Sequence, residues 1–452
     1  MRRRGRLYFD NMTRTVRFDP RDFISPPFFN CPNCTKSEFG TLMISKYNVT
    51  RRCRACWHTV SERLPAIKKK LVYLDQMAYS GMAKTFDPVW AATVGPQHPF
   101  WAKMFDAVER AFKLQLIVCP ESTVHEKESA LASQPTMMRR LYEHLAGGVS
   151  FQFPTVIHQH QLGIAFRAVL NGQAPTYELR RGLVIHGDPD EWSERLHISV
   201  NMAGIHADPK TLRGAKDRSH AALTAYFQRW QTERRKCFDD WYREERRGHA
   251  VNFMLLHNER VDLVRRVFAG EVSPTSEVFW NPRIDAEVVF GLIRVAESTG
   301  LKGPEAMRAV ENFLFSDAAY DAPANDISAM LLAALARKAV SGQKRPPSAG
   351  MWNDITAIAT FLPYCDAMFL DNECAGLLRE EPLRSKLGPF ETKVYSAKSG
   401  EDFLAYLADL ETQAGVEHVV RVAAIYGENW SVPYRELLVH ERQREERRAA
   451  GQ

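Results

Sequence analysis

Residues 351–372 read MWNDITAIATFLPYCDAMFLDN. Periodicity predicts a short helix over 354–362, a turn at Pro363, then an apolar strand ending in Asp371 and Asn372. A helix rises about 1.5 Å per residue and a strand about 3.3 Å, which makes both elements about 15 Å long. Laid antiparallel, the start of the helix and the end of the strand meet at one edge of a sheet. Asp354 and Asp371 then arrive together at the carboxyl ends of the strands, where α/β proteins place their sites. Two carboxylates held close resist joint ionisation unless a cation joins them, so this edge is expected to hold a divalent metal.

Working outward, the same strand-then-helix pattern recurs. KKKLVYLDQMAYSGMAK places an apolar strand at 71–74, Asp75 at its carboxyl end, and helical sequence after it. LQLIVCPESTVHEKES supplies a strand at 116–119 and, past Pro120, a helix bearing His125, Glu126 and Glu128. Further strands are expected at 149–153, 367–371 and 392–397, the last followed by the helical SGEDFLAYLADLE. Strands alternating with helices predict an α/β fold with a parallel, doubly wound sheet.

A chain of 452 residues has room for several domains. The net charge of +6 hides an asymmetry: residues 1–70 carry 16 Lys and Arg against 5 Asp and Glu. A basic N-terminal module on an acidic body predicts a polyanionic partner, nucleic acid above all. MRRRGR lacks the apolar run of a signal peptide and no segment reaches membrane-spanning length, so a cytoplasmic protein is expected. Cys119, Cys237, Cys365 and Cys374 are scattered singly and read as buried free thiols.

The other four cysteines form a pattern. Cys31-Pro-Asn-Cys34 and Cys53-Arg-Ala-Cys56 make a C-x2-C…C-x2-C set around FGTLMISKYNVTRR, which alternates like a β-hairpin. Four thiolates close a tetrahedron around zinc and leave no open position for water, so a structural zinc ribbon is predicted. Arg51, Arg52, Arg54 and Trp57 flank the second knuckle. They can grip phosphates and stack on a base, or serve the ribbon's own packing. A ribbon can also dock a protein partner.

The order strand-Asp75, helix-Glu128, helix-Asp354, strand-Asp371 resembles the PIN-domain nucleases, over residues 69–130 and 345–410. LVYLDQ and PYCDAMFLDN are similar to a bacterial PIN-like group that carries an N-terminal zinc ribbon. The resemblance implies that Asp75, Glu128, Asp354 and Asp371 form a four-carboxylate Mg²⁺ or Mn²⁺ site for hydrolysing RNA phosphodiesters, and it suggests a toxin or phage-defence role. Asp75 and Asp371 are the expected direct ligands. Glu126 competes with Glu128, and His125 is a candidate proton shuttle. Met77 stands where the family usually has a small polar residue. That departure supports the alternative, a non-catalytic nucleic-acid-binding or adaptor protein on a degenerate PIN-like fold.

The remaining expectations concern organisation. A basic ribbon module covers 1–68, the PIN-like halves cover 69–153 and 346–410, a mostly helical insertion covers 154–345, and a helical tail covers 411–452. Leu223, Phe227, Trp230, Phe238 and Trp241 read as one core-facing stripe. Asp366 lies at the amino end of its strand, away from the site, and Asp321 and Asp326 open the helix that contains Pro323. His158 and His160 do not share a helix face. An aspartyl phosphatase would want a second Asp at position 77. No Walker motif, G-x-G-x-x-G or H-E-x-x-H is present, so nucleotide-driven, dinucleotide and zincin chemistries have no support.

Overall fold

The computed structural model describes residues 8–10, 15–17, 19–85, 99–132, 135–177, 179–193, 209–273 and 286–427. The basic hexapeptide at the start and the charged end of the expected tail lie outside these residues.

Two four-stranded sheets organise the chain. The second is parallel, in the spatial order Lys393–Tyr395, Ala367–Phe369, Lys70–Leu74, Ile117–Val118. A parallel bridge from Glu121 to Ser150 carries it one step further. The chain starts in the middle, winds one way through residues 117–118 and 150, and returns on the other side at 367. The winding order reverses between Lys70–Leu74 and Ala367–Phe369, the kind of switch point at whose carboxyl edge open α/β sheets place their ligands. The edge departs from the all-parallel expectation: Ser150–Phe151 also pairs antiparallel with Ile185–His186, a strand inside the segment read as helical. Two residues of regular ladder were too short a signal to read.

Alternation drives the layering. Leu71, Tyr73, Met368 and Leu370 enter one core, with Ile358, Phe361 and Leu331. Val72, Leu74, Ala367 and Phe369 enter the other, with Tyr79, Phe105 and Phe403. Burial on both faces explains why these strands are apolar runs. Asp366 pins the amino edge: it accepts the Leu71 N–H at 2.8 Å and pairs with Lys70 at 2.9 Å and with Arg181.

The insertion is largely helical but is not a separate lobe. Leu223, Phe227, Trp230, Phe238 and Trp241 are buried in the sheet's own core. They sit on two helices, Pro209–Thr232 and Phe238–Phe268, and not on one continuous stripe. Helix Pro323–Val340 buries 14 of its 18 residues, which a helix enclosed on all sides requires. Asp326 lies in its first turn, whereas Asp321 caps the end of the preceding Asp317–Tyr320. A second helical cluster gathers Leu162, Phe166, Phe253, Leu292 and Phe313. His158 faces His249 across 6.4 Å within this helical part.

The tail expected from residue 411 is the continuation of helix Gly400–Tyr426, whose break falls at Gly415 (φ 78°). Among the described residues no helix is long and apolar enough to cross a membrane.

The first sheet is antiparallel: Ser25–Phe29, Phe39–Ser45, Asn48–Cys53, Thr59–Arg63, with the predicted hairpin at its centre. It is docked and does not swing free. Ile44 and Val49 join the main core, Thr41 donates to the Ile425 carbonyl at 3.1 Å, and Trp192 reaches the Pro65 carbonyl at 2.8 Å.

Candidate metal centres

Each cysteine knuckle turns back on itself. Thr35 N–H bonds to the Cys31 carbonyl (2.8 Å) and Trp57 N–H to the Cys53 carbonyl (3.0 Å). Both turns end on a residue with positive φ, 60° at Thr35 and 62° at Trp57. This aims two thiols per knuckle inward. The Sγ atoms of Cys31 and Cys56 lie 3.6 Å apart, as do those of Cys34 and Cys53, and all four converge within 4.8 Å. The His58 backbone N–H and the Asn33 amide hold the Cys56 thiol low, at about 6. The four converging sulfurs fit a zinc ion.

The flanking arginines divide by role. Arg51 is buried, paired with Glu62 at 2.7 Å and bonded to the Ala424 carbonyl at 3.3 Å. Arg54 ties down the incoming strand through the Arg21 and Ile24 carbonyls. These two make internal contacts, in keeping with the packing alternative for the ribbon's arginines. Trp57 is exposed, with the Arg52 guanidinium 4.8 Å and the Arg21 guanidinium 5.9 Å from its ring centre. Arg21 was not singled out from sequence, because its place beside Trp57 depends on the sheet.

At the carboxyl edge of the parallel sheet, Asp75 and Asp371 end neighbouring strands. Each also caps the helix that follows: Asp75 accepts the Gln76 N–H at 2.7 Å, and Asp371 accepts the Cys374 N–H at 2.6 Å. Helix Met351–Phe361 delivers Asp354, and helix Thr123–Ser129 delivers Glu128. Burial, together with Glu128 and Asp371 nearby, pushes the Asp75 carboxyl up to about 7. Burial, then Asp75, Glu128 and Asp371, pushes Asp354 up to about 9. Burial also raises Glu128, opposed by the Asn353 amide, which donates to it at 3.0 Å. The fold thus brings all four predicted carboxylates into one electrostatic unit.

Glu126 is exposed and lies toward Glu121, so the helix offers Glu128 alone. His125 is fully buried and corrects the shuttle reading. Its Nε2 bonds to the Leu74 carbonyl at 2.8 Å, its ring stacks between Tyr73 and Tyr142 at 5.1 Å each, and burial lowers it to about 4. It holds the first strand in place. Met77 is partly buried and packs against the core.

Three neighbours escaped the sequence reading. Asn353 adjoins Asp354 and orients Glu128. Lys216 sits near Glu128 from a helix far away in the chain, with no local signal. Cys374 is buried as expected, but its sulfur lies within 4.8 Å of the Asp354 and Asp371 carboxylate oxygens. Its position three residues after a helix-capping Asp was the available clue. Cys237 is exposed, unlike the other single cysteines.

A crowd of carboxylate oxygens, among which Asp75, Glu128 and Asp354 resist ionisation, fits Mg²⁺ or Mn²⁺, which take hard oxygen ligands. No family model, curated protein or solved structure matches this chain. Sheet and sites together define a mixed α/β protein that carries a four-cysteine module and a separate carboxylate cluster.

Proposed function

We propose that the chain is a metal-dependent, PIN-like nuclease that hydrolyses RNA phosphodiesters, with the zinc ribbon binding substrate or a protein partner. The observation that carries this reading is the convergence of Asp75, Glu128, Asp354 and Asp371 at the point where the parallel sheet reverses direction. Acidic side chains forced together by four separate elements cost folding energy unless a cation is intended there.

Asp75 and Asp371 are fixed by their strands and caps and would hold Mg²⁺ or Mn²⁺. Asp354 and Glu128 complete the oxygen set, and Asn353 keeps Glu128 turned toward it. When bound, such an ion activates water and offsets charge on the phosphate. The buried surroundings strengthen each of these interactions. Trp352, 41% exposed at the start of the Asp354 helix, offers a face on which an unpaired base can stack.

The test is cleavage of labelled RNA and single-stranded DNA with Mn²⁺ or Mg²⁺, comparing wild type with Asp75→Asn and Asp371→Asn. EDTA-sensitive cleavage lost in both variants supports the reading. Cleavage retained by both rejects it. RNA binding without cleavage would favour a nucleic-acid-binding adaptor, the reading supported by an apolar residue, Met77, two positions after Asp75.

A further inference from the structure

The carboxylate cluster contains a feature that an all-oxygen magnesium site does not need. The Cys374 sulfur lies within 4.8 Å of carboxylate oxygens of both Asp354 and Asp371. A second sulfur backs it: Met351 Sδ is 3.9 Å from Cys374 Sγ, and both side chains are almost wholly buried. The arrangement is paired. Helix Met351–Phe361 presents Met351 and Asp354 three residues apart, and the turn into helix Asn372–Arg379 presents Asp371 and Cys374 at the same spacing. Two sulfurs therefore adjoin a cluster whose other members are oxygen donors.

We propose that Cys374 makes this centre select for thiophilic divalent ions. Zn²⁺ or Cd²⁺ would be bound by the Cys374 thiolate together with Asp354 and Asp371. Mg²⁺ and Mn²⁺ would use the carboxylates alone. This deepens the metal-centre reading above and rests on it. The physical basis is ligand softness: thiolate sulfur favours zinc-like ions, carboxylate oxygen favours Mg²⁺ and Mn²⁺. The step balances simply. The thiol gives up its proton to solvent as the metal–sulfur bond forms, with no change of oxidation state. Zn–S and Zn–O bonds of about 2.3 and 2.1 Å bring such ligand atoms closer than 4.8 Å, a closure that small side-chain movements supply. The consequence is regulation: a trace of zinc-like ion would displace Mg²⁺ or Mn²⁺ and silence the centre.

The experiment uses the full chain with its ribbon already loaded with zinc. Bound Mn²⁺ is measured by the loss of the free-ion electron paramagnetic resonance signal, then displaced by Cd²⁺ or by Mg²⁺. Wild type should release Mn²⁺ at far lower Cd²⁺ than Mg²⁺. Cys374→Ser should narrow that preference by about 10-fold to 100-fold while leaving Mn²⁺ affinity within a few-fold. Cys374→Ala serves as a second variant, and unchanged melting temperatures verify that both fold. Unchanged Cd²⁺ displacement in these variants overturns the proposal and leaves the oxygen site standing. Failure of wild type to bind Mn²⁺ at all overturns the metal-centre reading itself, and the proposal with it.

Discussion

Asp75 and Asp371 end adjacent parallel strands, and each uses Oδ1 to cap the helix that its strand feeds, at 2.7 and 2.6 Å. The backbone bond from Asp75 N–H to the Phe369 carbonyl, 2.9 Å, locks the two strand ends in register. Helix cap and candidate metal ligand are thus the same carboxylate, and the cap fixes where the ligand points.

That double role shapes the first prediction. Asparagine caps a helix about as well as aspartate, so Asp75→Asn and Asp371→Asn should fold normally. Each should lose about 100-fold or more in Mn²⁺-dependent cleavage. Circular dichroism and calorimetric Mn²⁺ titration separate the two effects. Glu128→Gln should behave similarly, and Glu126→Gln should match wild type.

Proton linkage gives the second. Burial and neighbouring carboxylates push Asp75 up to about 7 and Asp354 up to about 9 in the folded protein, Glu128 and Asp371 acting on both and Asp75 on Asp354. Their unfolded values are about 4. Folded pKa values above unfolded ones favour folding at low pH. Metal-free protein should therefore lose stability as pH rises from about 4 through about 9. A bound cation relieves that loss, so the melting-temperature gain from Mn²⁺ should grow across this window by at least a few degrees.

His125 supplies the third. Because it is buried against Leu74, Tyr73 and Tyr142, His125→Gln should cost about 1–3 kcal/mol of stability through a disrupted buried network. The pH profile of cleavage at permissive temperature should keep its shape. A lost limb in that profile would restore the shuttle role.

The ribbon's charged residues should separate cleanly. Trp57→Ala and Arg52→Ala should weaken single-stranded RNA binding, with about 1–3 kcal/mol for the lost stacking platform. Arg51→Ala should instead lower the melting temperature, since its partners are Glu62 and the Ala424 carbonyl. Fluorescence anisotropy at fixed salt, beside thermal melts, reads both.

Zinc removal should reach beyond the ribbon. One zinc per chain is expected by elemental analysis, lost in Cys53→Ser. Because Ile44 and Val49 share the main core, that variant should also raise amide exchange along the end of helix Gly400–Tyr426, where Thr41 and Arg51 are anchored. Protection unchanged there would mean the ribbon folds and unfolds alone.

What could be read without coordinates follows from local physics. Two-residue cysteine knuckles, apolar runs bounded by Asp, and a Pro-broken strand are short-range signals, and they located the four-cysteine module, five of the strands and the carboxylates Asp75, Asp354 and Asp371. Even the choice of Glu128 over Glu126 is a matter of which side a seven-residue helix buries, a decision its packing partners make. Which residue types stand at the ends of which elements is legible in the chain, because strand and helix periods are properties of neighbouring residues. Folding alone turns Arg51 inward, buries His125 against the Leu74 carbonyl, and brings Cys374 to the same edge as Asp354. Those facts depend on contacts between residues far apart in the chain, whose geometry no local pattern encodes.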